Sequence, residues 1–135
     1  MSLDFYVRVP KEDTRIFLRE NGKTFSVIPE DCSFEYLHVG NITHNLGEMA
    51  RHIPVSKELK LYNVLWRPEE LDLTTTDSIL EYVDTGVRYM LKNKKKLEKY
   101  NPDNGWGNYD GLLSFAKKVG SACLFNSGCE IEANR

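Results

Sequence analysis

Hydrophobic and polar positions alternate over residues 3–9, with Leu3, Phe5, Val7 and Val9 on one face and Asp4, Tyr6 and Arg8 on the other. A period of two predicts a half-buried strand. Residues 14–20 and 23–28 are two further β-rich runs, and Asn21-Gly22 between them is a favoured pair for a two-residue hairpin turn. A fourth strand is expected from Phe34 to Val39, after Pro29 and the polar stretch Glu30 to Ser33.

The period then changes to that of a helix. Ile42, Leu46, Met49, Ala50 and Ile53 fall on one side until Pro54 stops the run. Residues 57–66 predict a second short helix, with Ser56 as its cap and Pro68 closing it. Ile79, Leu80, Val83, Val87, Met90 and Leu91 form the apolar stripe of a third. It follows the start signal Thr74 to Ser78, with Ser78 and Glu81 in capping-box spacing. A fourth helix is expected from about Tyr109 to Phe125, with Leu112, Phe115, Ala116, Val119, Ala122 and Cys123 inward. The run Cys129 to Ala133 alternates again and predicts a last strand joining the N-terminal ones. The expected fold is α+β: one domain over 1–135, a small antiparallel sheet of N-terminal strands plus a C-terminal strand, packed on one face by about four helices.

Composition narrows the classes. A chain of 135 residues with 41% hydrophobic and 28% charged residues has the balance of an ordinary globular domain. The net charge of −2 gives no broad pull towards nucleic acid or anionic lipid, which argues against either as a partner. Met1-Ser2-Leu3-Asp4 lacks the cationic and apolar regions of a signal peptide, and no apolar run reaches membrane-spanning length, so a cytoplasmic protein is expected. Cys32, Cys123 and Cys129 form no CxxC pair, against both a disulfide framework and a cysteine-rich zinc site. Walker, GxGxxG, HExxH and GxSxG motifs are absent, and no cofactor is implied.

Four segments carry candidate chemistry. Asn41-Ile42-Thr43-His44-Asn45 stands where strand gives way to helix. Asn41 or Thr43 would cap the helix, and the same free N–H groups would also favour an anion. On a helix, His44 points almost opposite the apolar stripe. His44, Glu48 and His52 recur at i, i+4 and i+8, but the outer pair would be about 12 Å apart along the axis, so a solvated face is the simpler account and no metal is expected. In Leu65-Trp66-Arg67-Pro68, Trp66 would plug the core and Arg67 meet helix carbonyls, or the pair would offer a stacking surface beside an anion-binding fork. In Asn104-Gly105-Trp106-Gly107-Asn108-Tyr109, Asn108 would cap the next helix, while Trp106 or Tyr109 either pins the loop or stacks on a planar ligand. The basic run Arg88 to Lys99 complements the acidic helix start at Asp77, Glu81 and Asp84 and reads as a solvated face.

Asn41-Ile-Thr-His-Asn45, Leu65-Trp-Arg-Pro-Glu-Glu70, Asn101-Pro-Asp-Asn-Gly-Trp-Gly107 and Cys129-Glu-Ile-Glu-Ala133 together resemble a group of small bacteriophage- and prophage-encoded proteins. The resemblance covers about residues 39 to 133 and rests on the motifs occurring together in order. It implies a setting in the host cytoplasm rather than a mechanism, and it favours convergence of the motifs in space. Some members of that group carry a CxxC-type insertion near the hairpin, where this chain has only Cys32.

On this reading the chain is an accessory protein, serving host takeover or counter-defence, that binds a small polar, nucleotide-like ligand or a host protein. Asn41, Thr43, His44, Asn45 and Asn104 would supply hydrogen bonds, Trp66, Trp106 or Tyr109 would stack, and Arg67 would meet an anion. The alternatives are a hydrolase or transferase on a nucleotide-like substrate, with His44 as acid or base, and an interaction module that dimerises through a sheet edge.

Overall fold

Strand β1 (Ser2–Pro10) is the centre of a three-stranded antiparallel sheet, flanked by β4 (Phe34–Thr43) and β5 (Glu130–Asn134). The computed structural model describes residues 1–11, 16–27 and 33–135. The alternation along β1 places Leu3, Phe5 and Val7 in the core with no exposure, while Asp4, Tyr6 and Arg8 stay partly exposed on the other face. β4 pairs with β1 from Ser2↔Thr43 to Pro10↔Phe34, and β5 pairs from Asp4↔Asn134 to Arg8↔Glu130. The β1–β4 register shifts between Phe5, opposite Gly40, and Tyr6, opposite His38, so Val39 is the extra residue of a bulge.

β2 (Ile16–Glu20) and β3 (Lys23–Val27) form the expected hairpin. Asn21 and Gly22 both adopt positive φ, 51° and 76°, as the tight hairpin turn requires. The hairpin is a separate two-stranded sheet, and its Phe17, Leu18, Phe25 and Val27 are exposed. Residues 14, 15 and 28 of the expected strands, with Pro29, Glu30 and Cys32, lie outside the described residues.

The segment after β4 departs from the helical expectation. Ile42 is buried from the strand, opposite Leu3, and β4 runs on to Thr43. A single 3-10 turn (His44–Leu46) follows, then the short helix α1 (Gly47–Ala50). Leu46, Met49, Ala50 and Ile53 are nonetheless all buried. Apolar spacing of this kind satisfies a core from a strand end and two short turns as well as from one helix.

Helix α2 (Leu61–Trp66) begins later than expected, because Ser56 Oγ accepts from Leu59 N at 3.1 Å and closes a turn. Lys60 is its N-cap residue, with its N–H donating to Asn63 Oδ1 at 2.9 Å. Pro68 opens a further 3-10 turn, Pro68–Leu71. Helix α3 (Thr76–Lys92) is capped by the reciprocal pair Thr75 and Ser78, three residues earlier than the Ser78–Glu81 box. Asn93 interrupts the basic run, donating from Nδ2 to Tyr89 O at 2.9 Å, so the lysines continue on a separate helix, α4 (Lys94–Glu98). Helix α5 (Tyr109–Phe125) starts at its predicted cap, Asn108, whose Oδ1 accepts from Gly111 N at 2.9 Å.

The helices cover the Leu3–Phe5 face. Phe115 of α5 meets Phe5 edge-on at 6.5 Å, and a Cβ at Gly40 would lie 3.3 Å from the Phe115 ring, so glycine there lets α5 sit close on β4. Trp66, Met49, Leu61 and Leu65 join the same core, which places the end of α2 beside the turn that follows β4. Among the described residues, no helix is long and apolar enough to cross a membrane.

Candidate functional site

At that junction lies a pocket of about 310 Å³, lined by His44, Gly47, Arg51, Tyr62, Trp66, Arg67 and Arg135. Its frame is aromatic. Tyr62 and Trp66 stand one helical turn apart on α2, and their rings stack at 5.5 Å and 18°. Trp66 is only 1% exposed, while the outer face of Tyr62 is covered by the Arg51 guanidinium at 4.0 Å from the ring centre. A Cβ at Gly47 would approach the Tyr62 ring to 3.3 Å, so a larger residue would crowd this wall.

His44 enters from the 3-10 turn, whose start is held by Thr43 Oγ1 accepting from Asn45 N at 3.3 Å. The indole N–H of Trp66 donates to His44 Nδ1 at 3.0 Å. An indole N–H can only donate, so Nδ1 is the acceptor and the ring proton resides on Nε2. In this tautomer His44 Nε2 is a donor and has no free lone pair with which to accept a proton.

The three arginines arrive from three different elements. Arg51 follows α1 and pairs with Glu48 at 3.5 Å. Arg67 follows α2, with Nε donating to the Tyr62 hydroxyl at 3.3 Å and Nη1 to Glu70 at 3.2 Å. These two bonds, the Tyr62 one first, raise the Arg67 pKa further and keep the guanidinium charged. Arg135 follows β5 and donates from Nη1 to the Trp66 carbonyl at 2.6 Å and to Glu69. None of the lining residues is an Asp or Glu.

The structure brings together His44, Trp66 and Arg67 of the residues singled out by sequence. The loop motif packs beside them rather than within the pocket. Gly107 has φ 101°, and a Cβ there would come within 2.9 Å of Leu46 and of Thr43 Cγ2, so the Asn-Gly-Trp-Gly turn lies against the Thr-His-Asn segment. Trp106 is 69% exposed, and Asn104 Oδ1 accepts from the Trp106 N–H at 2.9 Å, closing the loop on itself. Asn45 is exposed.

Two residues lie elsewhere. Tyr109 is 2% exposed, and its hydroxyl donates to Met90 O at 2.6 Å. Burial raises its pKa, and the ring belongs to the core instead of a stacking surface. Asn41 lies on the far face of the sheet, where Nδ2 donates to Asp4 Oδ1 and Ser2 Oγ. The position of His44 also differs from the solvated helix face, because one 3-10 turn does not carry the 100° spacing that placed it there. Glu48 pairs with His52 at 3.1 Å and His52 stacks on Tyr100 at 4.0 Å; no group of three metal-ligating side chains occurs among the described residues.

Sequence reasoning passed over Arg51, Tyr62 and Arg135. Tyr62 had a local signal, the i, i+4 spacing to Trp66. Arg135 had none, since only the pairing of β5 with β1 carries it to the end of α2. Two larger grooves run along α5: one towards β4, where Lys117 and Lys118 stand with Asp110, and one towards α3, where Lys117 stands with Glu81 and Asp84, so each mixes cations with carboxylates. Comparison with family models, with curated proteins and with solved structures finds no match to this chain.

Proposed function

We propose that this protein binds a small polar ligand carrying an anionic group, without turnover, in the pocket between the post-β4 turn and α2. The observation that carries the reading is the convergence of Arg51, Arg67, Arg135 and His44 on one pocket lined by no Asp or Glu side chain. Guanidinium forks match the geometry of planar and tetrahedral oxoanions, and backing by aromatic rings holds them in place. A pocket of about 310 Å³ is at the small end for ligand sites, which suits a metabolite better than a macromolecular surface.

The tautomer weighs against His44 as a general base. General-base chemistry at His44 would need a lone pair at Nε2, and the Trp66 N–H supports the opposite tautomer. If the resemblance to phage-encoded proteins holds, sequestering such a ligand would serve host takeover or counter-defence. Native mass spectrometry of the purified protein, repeated after denaturation, tests the reading. A retained mass lost on denaturation is expected, along with a rise in melting temperature with added phosphate. Neither effect at millimolar anion would reject it.

A further inference from the structure

We infer that the group this pocket takes is the phosphoryl end of a small phosphomonoester, gripped without recognition of a base; the inference rests on the anion-binding reading above. Three features of the wall point to it.

The first is the balance of donors and acceptors. The Tyr62 hydroxyl is the only side-chain oxygen among the lining residues, and it accepts from Arg67 Nε. A sugar hydroxyl or an amide would therefore find little to donate to, whereas an acceptor-only group would be fully matched. The guanidinium N–H groups of Arg51, Arg67 and Arg135 not engaged with Tyr62, Trp66 or the glutamates have no protein acceptor among the described residues.

The second is the number of cations. Glu48, Glu70 and Glu69 each pair with one arginine and balance the charge in the free protein. A ligand must compete with these carboxylates. A carboxylate brings one charge and two oxygens; a phosphomonoester brings about −1.5 to −2 and three acceptor oxygens. The dianion brings a further oxygen and nearly a second charge with which to compete for three guanidinium groups.

The third is that the aromatic faces are already used. Trp66 is buried against Tyr62, and Tyr62 is covered by Arg51, so neither ring has a free face on which a nucleobase could stack. Nucleotide-like ligands would be held by phosphate alone. The sequence expectation that Trp66 stacks on a ligand gives way to a role in positioning His44 and Tyr62.

The test is calorimetric titration with ribose 5-phosphate, AMP, CMP, adenosine and succinate. Ribose 5-phosphate, AMP and CMP should bind with similar affinity, and adenosine and succinate should not compete. Arg67→Lys and Arg135→Gln, each checked for an unchanged circular dichroism spectrum, should both weaken ribose 5-phosphate by about tenfold or more, as expected for loss of a charge-assisted fork. AMP binding tenfold tighter than ribose 5-phosphate would mean that a base is read, and succinate binding as well as phosphate would mean a general anion site. Either result overturns the phosphoryl assignment while leaving the anion pocket standing. If no anion binds, the pocket reading fails and this inference fails with it.

Discussion

The Trp66 indole N–H and His44 Nδ1 meet at 3.0 Å across 22 positions of sequence, and this one bond ties the end of α2 to the turn that leaves β4. It orients both residues and sets which nitrogen of His44 carries the proton. Replacing Trp66 by Phe keeps most of the ring volume but removes the donor. We expect a loss of about 1–2 kcal/mol in urea denaturation, the cost of leaving a half-buried acceptor unpaired. Nitrogen NMR should report the Nε2–H tautomer of His44 in the native protein and a mixture of tautomers in Trp66→Phe. A native spectrum showing Nδ1–H would contradict the arrangement.

Gly107 and Gly105 both have positive φ, 101° and 76°, but only Gly107 has neighbours where a Cβ would go. Gly107→Ala should destabilise by roughly 1–3 kcal/mol through strain and collision with Leu46 and Thr43. Gly105→Ala, facing open space, should cost about 1 kcal/mol from the backbone alone. Equal denaturation midpoints for the two variants would argue that the loop does not pack on the post-β4 turn.

Burial pushes the Cys123 thiol up to about 12 from 9.0. The folded state therefore holds its proton where the unfolded state releases it. That contribution to stability is present below pH 9 and is lost as pH rises towards 12. Stability measured across this range should fall less steeply in Cys123→Ala than in the native protein. Mass-mapped alkylation at pH 8 should leave Cys123 unmodified until denaturant is added.

On the outer face of the sheet, the hydrogen bonds from Asn41 and then His38 hold the Asp4 carboxyl below its ordinary 3.8. A depressed carboxylate stabilises the fold above pH 3.8, and the effect disappears as pH falls through the lowered value. Asn41→Ala should move the Asp4 titration, followed by carboxyl carbon NMR, back towards 3.8. An unmoved titration would mean that Asn41 does not reach Asp4 in solution.

Much of the fold was legible in local pattern. The alternation of β1, the Asn21-Gly22 turn, the stripe of α3 and the Asn108 cap of α5 are each properties of a few adjacent residues, and each appears where its spacing predicts, except that Leu91 at the end of the α3 stripe is exposed. The segment 42–53 was misread because spacing of buried residues says which side chains are inward and not which backbone carries them. Ile42 is buried from a strand and Leu46 from a 3-10 turn, and only the pairing of Leu3 with Ile42 distinguishes that from a helix.

The pocket divides along the same line. Sequence alone marked His44, Trp66 and Arg67 as polar or aromatic residues at element ends, where side chains are free to serve a site. It also set the α+β class, since periods of two and 3.6 are written residue by residue. Tertiary structure decided that Tyr109 is core, that Asn41 faces away, and that Arg51 and Arg135 join the wall. Those outcomes depend on contacts between residues distant in the chain: β5 must pair with β1 before Arg135 can reach the Trp66 carbonyl. A local pattern records which face a residue turns to its own element, and a site is made of what the neighbouring elements turn towards it.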